Sequence, residues 1–317
     1  MRVLVVSLFN VNPLFFLLLG FCVSTMSGFY GIGGGWLITP ALNILGVPMP
    51  YAIGTSLVYI IIVSGIGTIT HRKIKNVKYI VGIIIGVSSI PGIFLGKKLI
   101  LHFEQTGTAD SFVRMMYIIF LIIVGIFMLV EQKLDSGTKE NSGRRLIFKP
   151  HIKITIDENK SACVSAWALI LSGVFIGFLK STMGVGGGFV LLPILIYLVK
   201  LPVPAAAGTS LFTVLIAGTT GAAAYIVSNN IDWAGVVYMT ITSIAGTVLG
   251  ASATKKVDPG KIKMFFAITL FLGGISVLFK ELRFDLMSNV SVFGITVGST
   301  LLIIYAAYIR GHSKKNT

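Results

Sequence analysis

Two long stretches of the chain contain almost no formal charge, and this limits the chain to a membrane environment. No Asp, Glu, Lys or Arg lies between Arg2 and Arg72, and Asp232 is the only such residue between Lys200 and Lys255. Each stretch is long enough for several spans of about 20 apolar residues. Only 12% of the residues are charged, against about 25% in soluble domains. We therefore predict an all-α, polytopic transmembrane protein and exclude a soluble one.

The first apolar segment has the composition of a secretory signal peptide, with Arg2, an apolar run over residues 3–23 and the small residues Ser24 and Thr25. A similar segment over residues 166–183 precedes an almost identical motif in the middle of the chain, where it cannot be a cleaved leader. We therefore interpret the first segment as a structural helix too.

The strongest pattern in the sequence is an internal repeat. Residues 31–40 read GIGGGWLITP where residues 184–193 read GVGGGFVLLP, and residues 48–57 read PMPYAIGTSL where residues 202–211 read PVPAAAGTSL. With one inserted residue, 14 of 27 positions are identical. The predicted organisation is a first transmembrane repeat, a polar cytoplasmic linker, a second transmembrane repeat, and an additional C-terminal transmembrane helix with a basic tail, over residues 1–131, 132–161, 162–280 and 281–317.

Each repeat is predicted to contain an apolar helix broken at three glycines, a short apolar piece and three spanning helices. The short piece has about a dozen residues, too few to span a membrane alone. Within the linker, residues 144–156 alternate enough for either a strand or a helix, and the sequence does not decide between them. The predicted segments are 13–30, 36–45, 51–70, 79–99 and 112–130, then 163–183, 189–199, 205–227, 233–253 and 262–279, and an unpaired helix over 290–309.

The positions of the basic residues predict how the broken helix is arranged. If each broken helix makes one crossing, Lys and Arg divide 14 to 11 between the two sides, with Lys180 unassigned. If the chain instead reverses at the glycines to form a hairpin, one side holds 19 and the other 7. The positive-inside rule favours the hairpin. Each half then crosses an odd number of times, so we predict two inverted repeats, with the central loop and the C-terminus cytoplasmic and the N-terminus outside.

The two glycine runs have two interpretations. Glycine lets membrane helices pack closely and lets the chain turn sharply. However, a helix begins just after each run, so its first amide N–H groups lack partners within the helix and that end carries a partial positive charge. Two such ends near the middle of a membrane are a candidate site for a small oxyanion. The candidate substrate-binding glycines are Gly33, Gly34, Gly35, Gly186, Gly187 and Gly188.

Hydroxyl side chains follow each glycine run at equivalent positions. Hydroxyl groups in membrane helices often bond back to their own helix, but the duplication favours positions that face the axis between the repeats and donate to a substrate. Pro40 and Pro193, which end the repeated glycine motifs, are predicted structural hinges. The candidate hydroxyl ligands are Thr55, Ser56, Thr209 and Ser210.

Lys180 is the one formal charge in the interior of a predicted membrane segment. A charge at such depth usually faces a cavity or a partner, which favours a counter-charge for an anion, although a side chain that snorkels to the interface would have the same position in the sequence. The equivalent residue of the first repeat is Ser27. His71 and Asp232 lie at helix ends, and we predict that both are interfacial.

Several classes of protein are excluded or disfavoured. The basic clusters lie between apolar runs, which indicates membrane topology rather than nucleic-acid binding. Cys22 and Cys163 form no CxxC pair, so we predict neither a disulfide framework nor a metal site, and no cofactor. HExxH, GxSxG and Walker A motifs are absent from the sequence, so we predict that the chain is not an enzyme.

The duplicated GxGGGxxxxP and PxPxAxGTSL motifs resemble those of the sulfite exporter TauE/SafE family of membrane permeases, over about residues 13–280. The resemblance implies an inner-membrane transporter of sulfur-containing anions, such as sulfite, sulfoacetate or related organosulfonates. The chain differs from the usual plan of about eight spans by the helix after Ser288, and Lys180 is unusual just ahead of the second glycine run.

These observations together predict a multi-pass secondary transporter of the plasma membrane. Its partners would be a small anion, a coupling ion and the lipid bilayer, and the two repeats would rock to alternate access. Two other interpretations are left open by the sequence, namely a passive anion channel built from the same parts, and a membrane scaffold that docks partners through the linker at residues 132–161.

Overall fold

The chain folds into a helical bundle, as predicted. The computed structural model describes residues 12–135, 151–157 and 160–313. Nine helices in these ranges are long and apolar enough to cross a membrane, which confirms an all-α polytopic membrane protein. The helices are α1 (Pro13–Tyr30), α2 (Gly35–Ile44), α3 (Met49–Lys73), α4 (Tyr79–Gln105), α5 (Ala109–Asp135), α6 (Ala166–Met183), α7 (Gly188–Pro193), α8 (Val203–Val227), α9 (Trp233–Ala253), α10 (Pro259–Glu281) and α11 (Asp285–Ser313).

Local capping residues explain why some predicted boundaries agree with the structure. Asn12 accepts a hydrogen bond from the amide of Leu14 at 2.9 Å at the start of α1, and Gly31 ends the helix in a left-handed conformation with φ of 78°. Asp232 caps the start of α9 by accepting from the amide of Gly235 at 3.3 Å. Side-chain acceptors and glycine are the standard solutions at these two ends of a helix, so both boundaries can be found in the sequence.

The linker contains a β-hairpin, made of β1 (His151–Asp157) and β2 (Lys160–Ser165) in antiparallel pairing. The segment left undecided between strand and helix therefore forms a strand over 151–156, and its remaining residues 144–150 lie outside the described ranges. The prediction of a helix from Cys163 is wrong, because Cys163 pairs with Lys153 in the hairpin and the helix begins only at Ala166.

The short helix of the second repeat is irregular. After Pro193 the chain continues as a π-helix over Ile194–Leu198, whereas α2 contains Pro40 without an interruption. Proline removes one backbone donor and crowds the preceding turn, which accounts for a change of helical pitch beside Pro193. The two predicted hinge prolines thus occupy different local structures.

The first helix of each repeat packs on the other repeat. α1 lies against α9, where a Cβ at Gly28 would be 2.9 Å from the amide nitrogen of Ala251. α6 lies against α4, where a Cβ at Gly96 would be 2.6 Å from the carbonyl oxygen of Phe178. Small residues allow such close approach between membrane helices. Because each repeat supplies one helix to the other, the two halves interlock.

Packing positions define the directions of the helices. Along α1, Gly20 contacts Met239 and Gly28 contacts Ala251, so α1 and α9 are parallel. By the same comparison, contacts of Gly173 with Ser88 and of Gly96 with Thr182 make α6 and α4 parallel. Contacts of Gly54 with Asn230 and of Gly67 with Leu211 make α3 and α8 antiparallel.

One end of the bundle, which we call the Arg114 end, holds both ends of the α1–α2 segment. Arg114 bonds Asn43 at 3.2 Å and Glu281 at 2.5 Å. Lys280 lies 3.5 Å from the carbonyl oxygen of Ile44 at the end of α2. The rings of Phe15 and Phe293, near the starts of α1 and α11, lie 5.4 Å apart.

The chain reverses at each glycine run. A Cβ at Gly34 would lie 2.8 Å from Cγ1 of Val23, so the chain has folded back onto α1 by two turns of that helix. Gly187 folds back onto Ile176 of α6 in the equivalent manner. We call the opposite end of the bundle the Asn76 end, because Asn76 contacts Gly208 there, at the start of α8. α4 begins at the Asn76 end and α6 runs parallel to α4, so the second hairpin starts from this end.

Candidate functional site

The two glycine turns converge on one pair of side chains at the centre of the bundle. Gly33 and Gly186 have left-handed φ values of 78° and 70°. A Cβ at Gly33 would lie 2.9 Å from Val214 and 3.1 Å from Ile60, and one at Gly186 would lie 3.2 Å and 3.3 Å from the same two side chains. Ile60 and Val214 occupy equivalent positions in the repeats. Both turns therefore face the same two side chains.

The turns are also in direct backbone contact. A Cβ at Gly35 would lie 2.5 Å from the carbonyl oxygen of Gly184 and 2.9 Å from the carbonyl carbon of Val185, and one at Gly188 would overlap the backbone of Ile32. Protein atoms thus fill the space where side chains would stand, so a ligand has no open approach to this backbone in this conformation. The glycines serve here to let the two repeats touch.

Ser56 and Thr39 of the first repeat form hydrogen bonds to the glycine turn of the second repeat. The hydroxyl of Thr39 donates to Oγ of Ser56 at 2.8 Å, and Ser56 lies 2.9 Å from the carbonyl oxygen of Gly184. Tyr117, which sequence reasoning missed, donates to the carbonyl oxygen of Met183 at 2.6 Å. Ser210, the equivalent of Ser56, is buried and its hydroxyl has no partner among the described residues. The predicted serine pair is therefore placed unequally, one bonded and one free.

Thr55 and Thr209 lie away from the turns, and each accepts a hydrogen bond from a backbone amide of the other repeat. Oγ1 of Thr55 accepts from the amide of Asp232 at 2.9 Å, and Oγ1 of Thr209 accepts from the amide of Lys78 at 2.9 Å. Asp232 and Lys78 each precede a helix, α9 and α4, at opposite ends of the bundle. The structure does not bring the two threonines together, and each fixes the start of a helix of the other repeat.

This arrangement predicts a structural phenotype for the threonines. Thr55→Val and Thr209→Val should each lower the free energy of unfolding by about 1–3 kcal/mol, because a buried amide loses its acceptor. Thermal denaturation of the purified variants measures this, with Thr219→Val as the control, since Thr219 is exposed and, among the described residues, bonds only its own helix. Unchanged stability together with lost transport would instead place the threonines on the substrate path.

Lys180 is completely buried. Its ammonium donates one hydrogen bond, to the carbonyl oxygen of Val214 at 3.0 Å, and Gly218 and Gly221 of α8 leave room for the side chain. Within the described ranges it has no ion pair. Since a snorkelling lysine needs an exposed ammonium, the structure favours the counter-charge interpretation. Lys180 adjoins Val214 and so lies beside the point where the two turns converge.

His71 and Asp232 lie at helix ends, as predicted, and their place at a membrane interface stays a prediction. Both are buried, however, with 0% and 2% of their surface exposed. Nε2 of His71 lies 3.1 Å from the carbonyl oxygen of Gly28 in α1, and the amide of Asp232 donates to Oγ1 of Thr55 in α3 at 2.9 Å. Sequence reasoning did not foresee this burial, because the covering residues are distant in the chain.

The structure also reveals buried polar groups that the sequence interpretation did not use. Ser27 of α1 and Ser64, Thr68 and His71 of α3 each contain a polar atom without a partner among the described residues. The last three are spaced four and three residues apart, which places them on one face of a helix. That spacing in an otherwise apolar segment is the signal that would have identified them.

Other features of the described residues lie apart from this centre. A cavity of about 280 Å³ lies between α10 and α11, with Tyr30, Phe265 and Gly294 in its lining. In the part of the chain that is described, no group of three His, Cys, Asp or Glu side chains is placed to hold a metal ion.

Comparisons with known proteins identify the family to which this sequence is similar. The family model for "Sulfite exporter TauE/SafE" matches residues 16–277. The probable membrane transporter protein YunE of Bacillus subtilis is 27% identical over 270 residues, covering 83% of this chain and 96% of that protein. A probable membrane transporter protein of Methanocaldococcus jannaschii is 28% identical over 277 residues, covering 83% and 94%. No solved structure matches the chain.

Proposed function

Because the chain belongs to the sulfite exporter TauE/SafE family of membrane transporters, we propose that it is a secondary transporter of small sulfur-containing anions that works by alternating access. The substrate class comprises sulfite, thiosulfate and small organosulfonates such as sulfoacetate. The anion binds beside the two glycine turns, in contact with Lys180, and the relative movement of the two repeats exposes it to each side in turn.

The observation that carries this proposal is the buried ammonium of Lys180. A charge inside a membrane protein is costly unless a partner of opposite charge or a wet cavity compensates it. Lys180 has one carbonyl contact and, within the described residues, no carboxylate partner. An anionic substrate would supply the missing charge. Ser210 adds a buried hydroxyl on the neighbouring helix α8, which has no partner there and can donate to an anion oxygen.

The directions of the helices support alternating access. Equivalent helices run in opposite directions, as α3 and α8 do, and the two hairpins start from opposite ends of the bundle. This is the arrangement expected of inverted repeats, in which a substrate site lies between half-helices near the middle of the membrane. We propose that the turns, in contact at Gly35 and Gly188, separate on one side at a time to admit the anion.

We also propose an orientation in the membrane, from the positions of the basic residues. The Asn76 end holds the α3–α4 loop, the start of α8 and the α9–α10 loop, where basic residues are concentrated. The positive-inside rule then makes this end cytoplasmic, together with the linker and the C-terminus.

A ligand screen and a flux assay test the proposal. We expect sulfite, thiosulfate or a small sulfonate to raise the thermal unfolding temperature of the purified protein, because a ligand that binds only the native state stabilises it. Phosphate and chloride serve as anion controls. In proteoliposomes, unlabelled anion inside should accelerate entry of the labelled anion by counterflow. Flux without counterflow would identify a channel, and the absence of both stabilisation and flux would favour a scaffold.

A further inference from the structure

A cluster of buried polar side chains lies beside the first glycine turn. We call it the His71 cluster and define it as Ser27, Ser64, Thr68 and His71. All four side chains are buried, and each has a polar atom with no hydrogen-bond partner in the described parts of the chain. An unsatisfied buried polar group is costly, and native proteins rarely keep several of them together without a ligand or water.

The glycine turn lies against two of these groups. A Cβ at Gly33 would lie 3.3 Å from Oγ of Ser64, and a Cβ at Gly34 would lie 3.5 Å from Cβ of Ser27. His71 reaches the next residue of α1, since its Nε2 lies 3.1 Å from the carbonyl oxygen of Gly28. The cluster is therefore formed by one face of α3, the end of α1 and the turn that follows it.

The contact with Gly28 determines which nitrogen of His71 is available. A carbonyl oxygen only accepts hydrogen bonds, so Nε2 must carry the hydrogen. In the neutral ring, Nδ1 is then an acceptor, and it is buried without a donor among the described residues. A proton that binds at Nδ1 converts this atom into a donor and gives the ring a positive charge.

The positions equivalent to the His71 cluster in the second repeat make a similar backbone contact but contain different ionisable groups. Tyr225 takes the place of His71 and donates to the carbonyl oxygen of Ser181 at 2.7 Å, at the position equivalent to Gly28. Lys180 takes the place of Ser27, and Gly218 and Ala222 take the places of Ser64 and Thr68. The second repeat therefore has a lysine where the first has neutral hydroxyls and one group that can gain a charge.

The described helices that pack against His71 supply no carboxylate to bind that charge. The helices packed against this part of α3 are α1, α8 and α9, and none of the three contains Asp, Glu, Lys, Arg or a second His. The nearest charged residues along the chain are Arg72, Lys73 and Lys75, and Arg72 and Lys73 are exposed. An anion is thus the natural partner for a protonated His71.

We propose that the His71 cluster binds the coupling proton of transport, and this rests on the proposed function. One proton binds at Nδ1 of His71, and the oxyanion then accepts hydrogen bonds from this N–H and from the hydroxyls of the cluster that lie nearest to it. The anion and the proton leave together, so one proton crosses with each anion. Lys180 compensates the anion in the second repeat, and the protonated His71 compensates it in the first.

The first test measures protonation without transport. The chain contains four histidines, so ring-labelled histidine in the detergent-solubilised full chain gives few nitrogen signals, and His71→Gln identifies the one from His71. We expect this ring to change from the Nε2-protonated tautomer to the doubly protonated form between about pH 8 and 5, and thiosulfate to favour the doubly protonated form. A His71 signal that stays neutral throughout this range overturns the proposal.

The second test measures coupling. The membrane potential is clamped, and a gradient of one pH unit is applied with the acid side outside. Wild-type proteoliposomes should then accumulate labelled thiosulfate up to about tenfold. With one proton per anion, the tenfold ratio of proton concentrations sets an equal ratio of anion concentrations. His71→Gln keeps a donor for Gly28. Its counterflow should be weaker, because one donor to the anion is lost, and the flux that remains should no longer respond to the pH gradient. His102→Gln is the control, because His102 is exposed.

The outcomes separate the two proposals. Accumulation that persists in His71→Gln overturns the proton site, even if transport is confirmed. If the wild-type protein carries no thiosulfate and the ring of His71 still gains a proton, the proposed transport of this anion fails while the proton-binding site is supported.

Discussion

Lys180→Met should reduce transport of the sulfur oxyanion about 30-fold or more and remove the ligand-induced thermal stabilisation. Truncating one member of a buried charge pair costs about 2–5 kcal/mol, and about 1.4 kcal/mol corresponds to each factor of ten. Methionine has a similar length and fills the same space between α6 and α8. The thermal stability of the unliganded variant should not fall, because the substitution removes a buried charge that has one carbonyl contact.

Lys97→Met is the matched control for this prediction. Lys97 also donates to a carbonyl of α8, that of Ala224, and lies 6.0 Å from the ring centroid of Tyr225, but it is partly exposed. We expect this variant to retain transport and ligand stabilisation. Wild-type flux in Lys180→Met, or an equal loss in both variants, would show that the buried ammonium does not bind the anion.

Gly188→Ala should abolish transport and lower the stability of the protein by about 1–3 kcal/mol or more, which is typical of overpacking. Its added Cβ would lie 2.5 Å from both Cα and the carbonyl carbon of Ile32 in the opposite turn. Gly188 is not among the glycines with positive φ, so the backbone accepts alanine and the substitution tests the contact alone. Flux in proteoliposomes and thermal denaturation measure the two effects.

Gly294→Ala is the control, because no atom of the described residues lies within 4 Å of a Cβ at that position of α11. Alanine in a helix is favoured over glycine by up to about 1 kcal/mol, so this variant should be as stable as the wild type or more stable, with normal transport. If Gly188→Ala behaves in the same way, contact between the turns is unnecessary for function.

Much of the fold is encoded by local signals that a single sequence displays. Apolar length identifies the spanning helices, and caps such as Asn12 and Asp232 fix individual boundaries. The glycine runs mark the chain reversals, because left-handed residues such as Gly34 need the freedom that glycine has. Each of these inferences depends on residues close together in the chain.

The parts of the site that were missed depend on contacts between distant segments. Nothing near His71 in sequence indicates that the end of α1 and the start of α8 cover it, so the burial of this helix end was not predicted. Thr55 and Thr209 repeat faithfully in the sequence, yet the repetition reflects equivalent structural bonds to Asp232 and Lys78 rather than a shared ligand. A repeat shows that two positions are equivalent, but it does not show that they meet.

The exchange of first helices between the repeats also imposes an order on biosynthesis. α1 ends at Tyr30, and its partner α9 begins at Trp233, so about two hundred residues are synthesised in between. At about 5–20 residues per second, α1 waits roughly 10–40 seconds in the membrane with its glycine face uncovered. α6, in contrast, meets α4 as soon as it is inserted. The nascent protein is therefore most vulnerable to mispairing early, and it becomes committed to its final arrangement only when the ninth helix arrives.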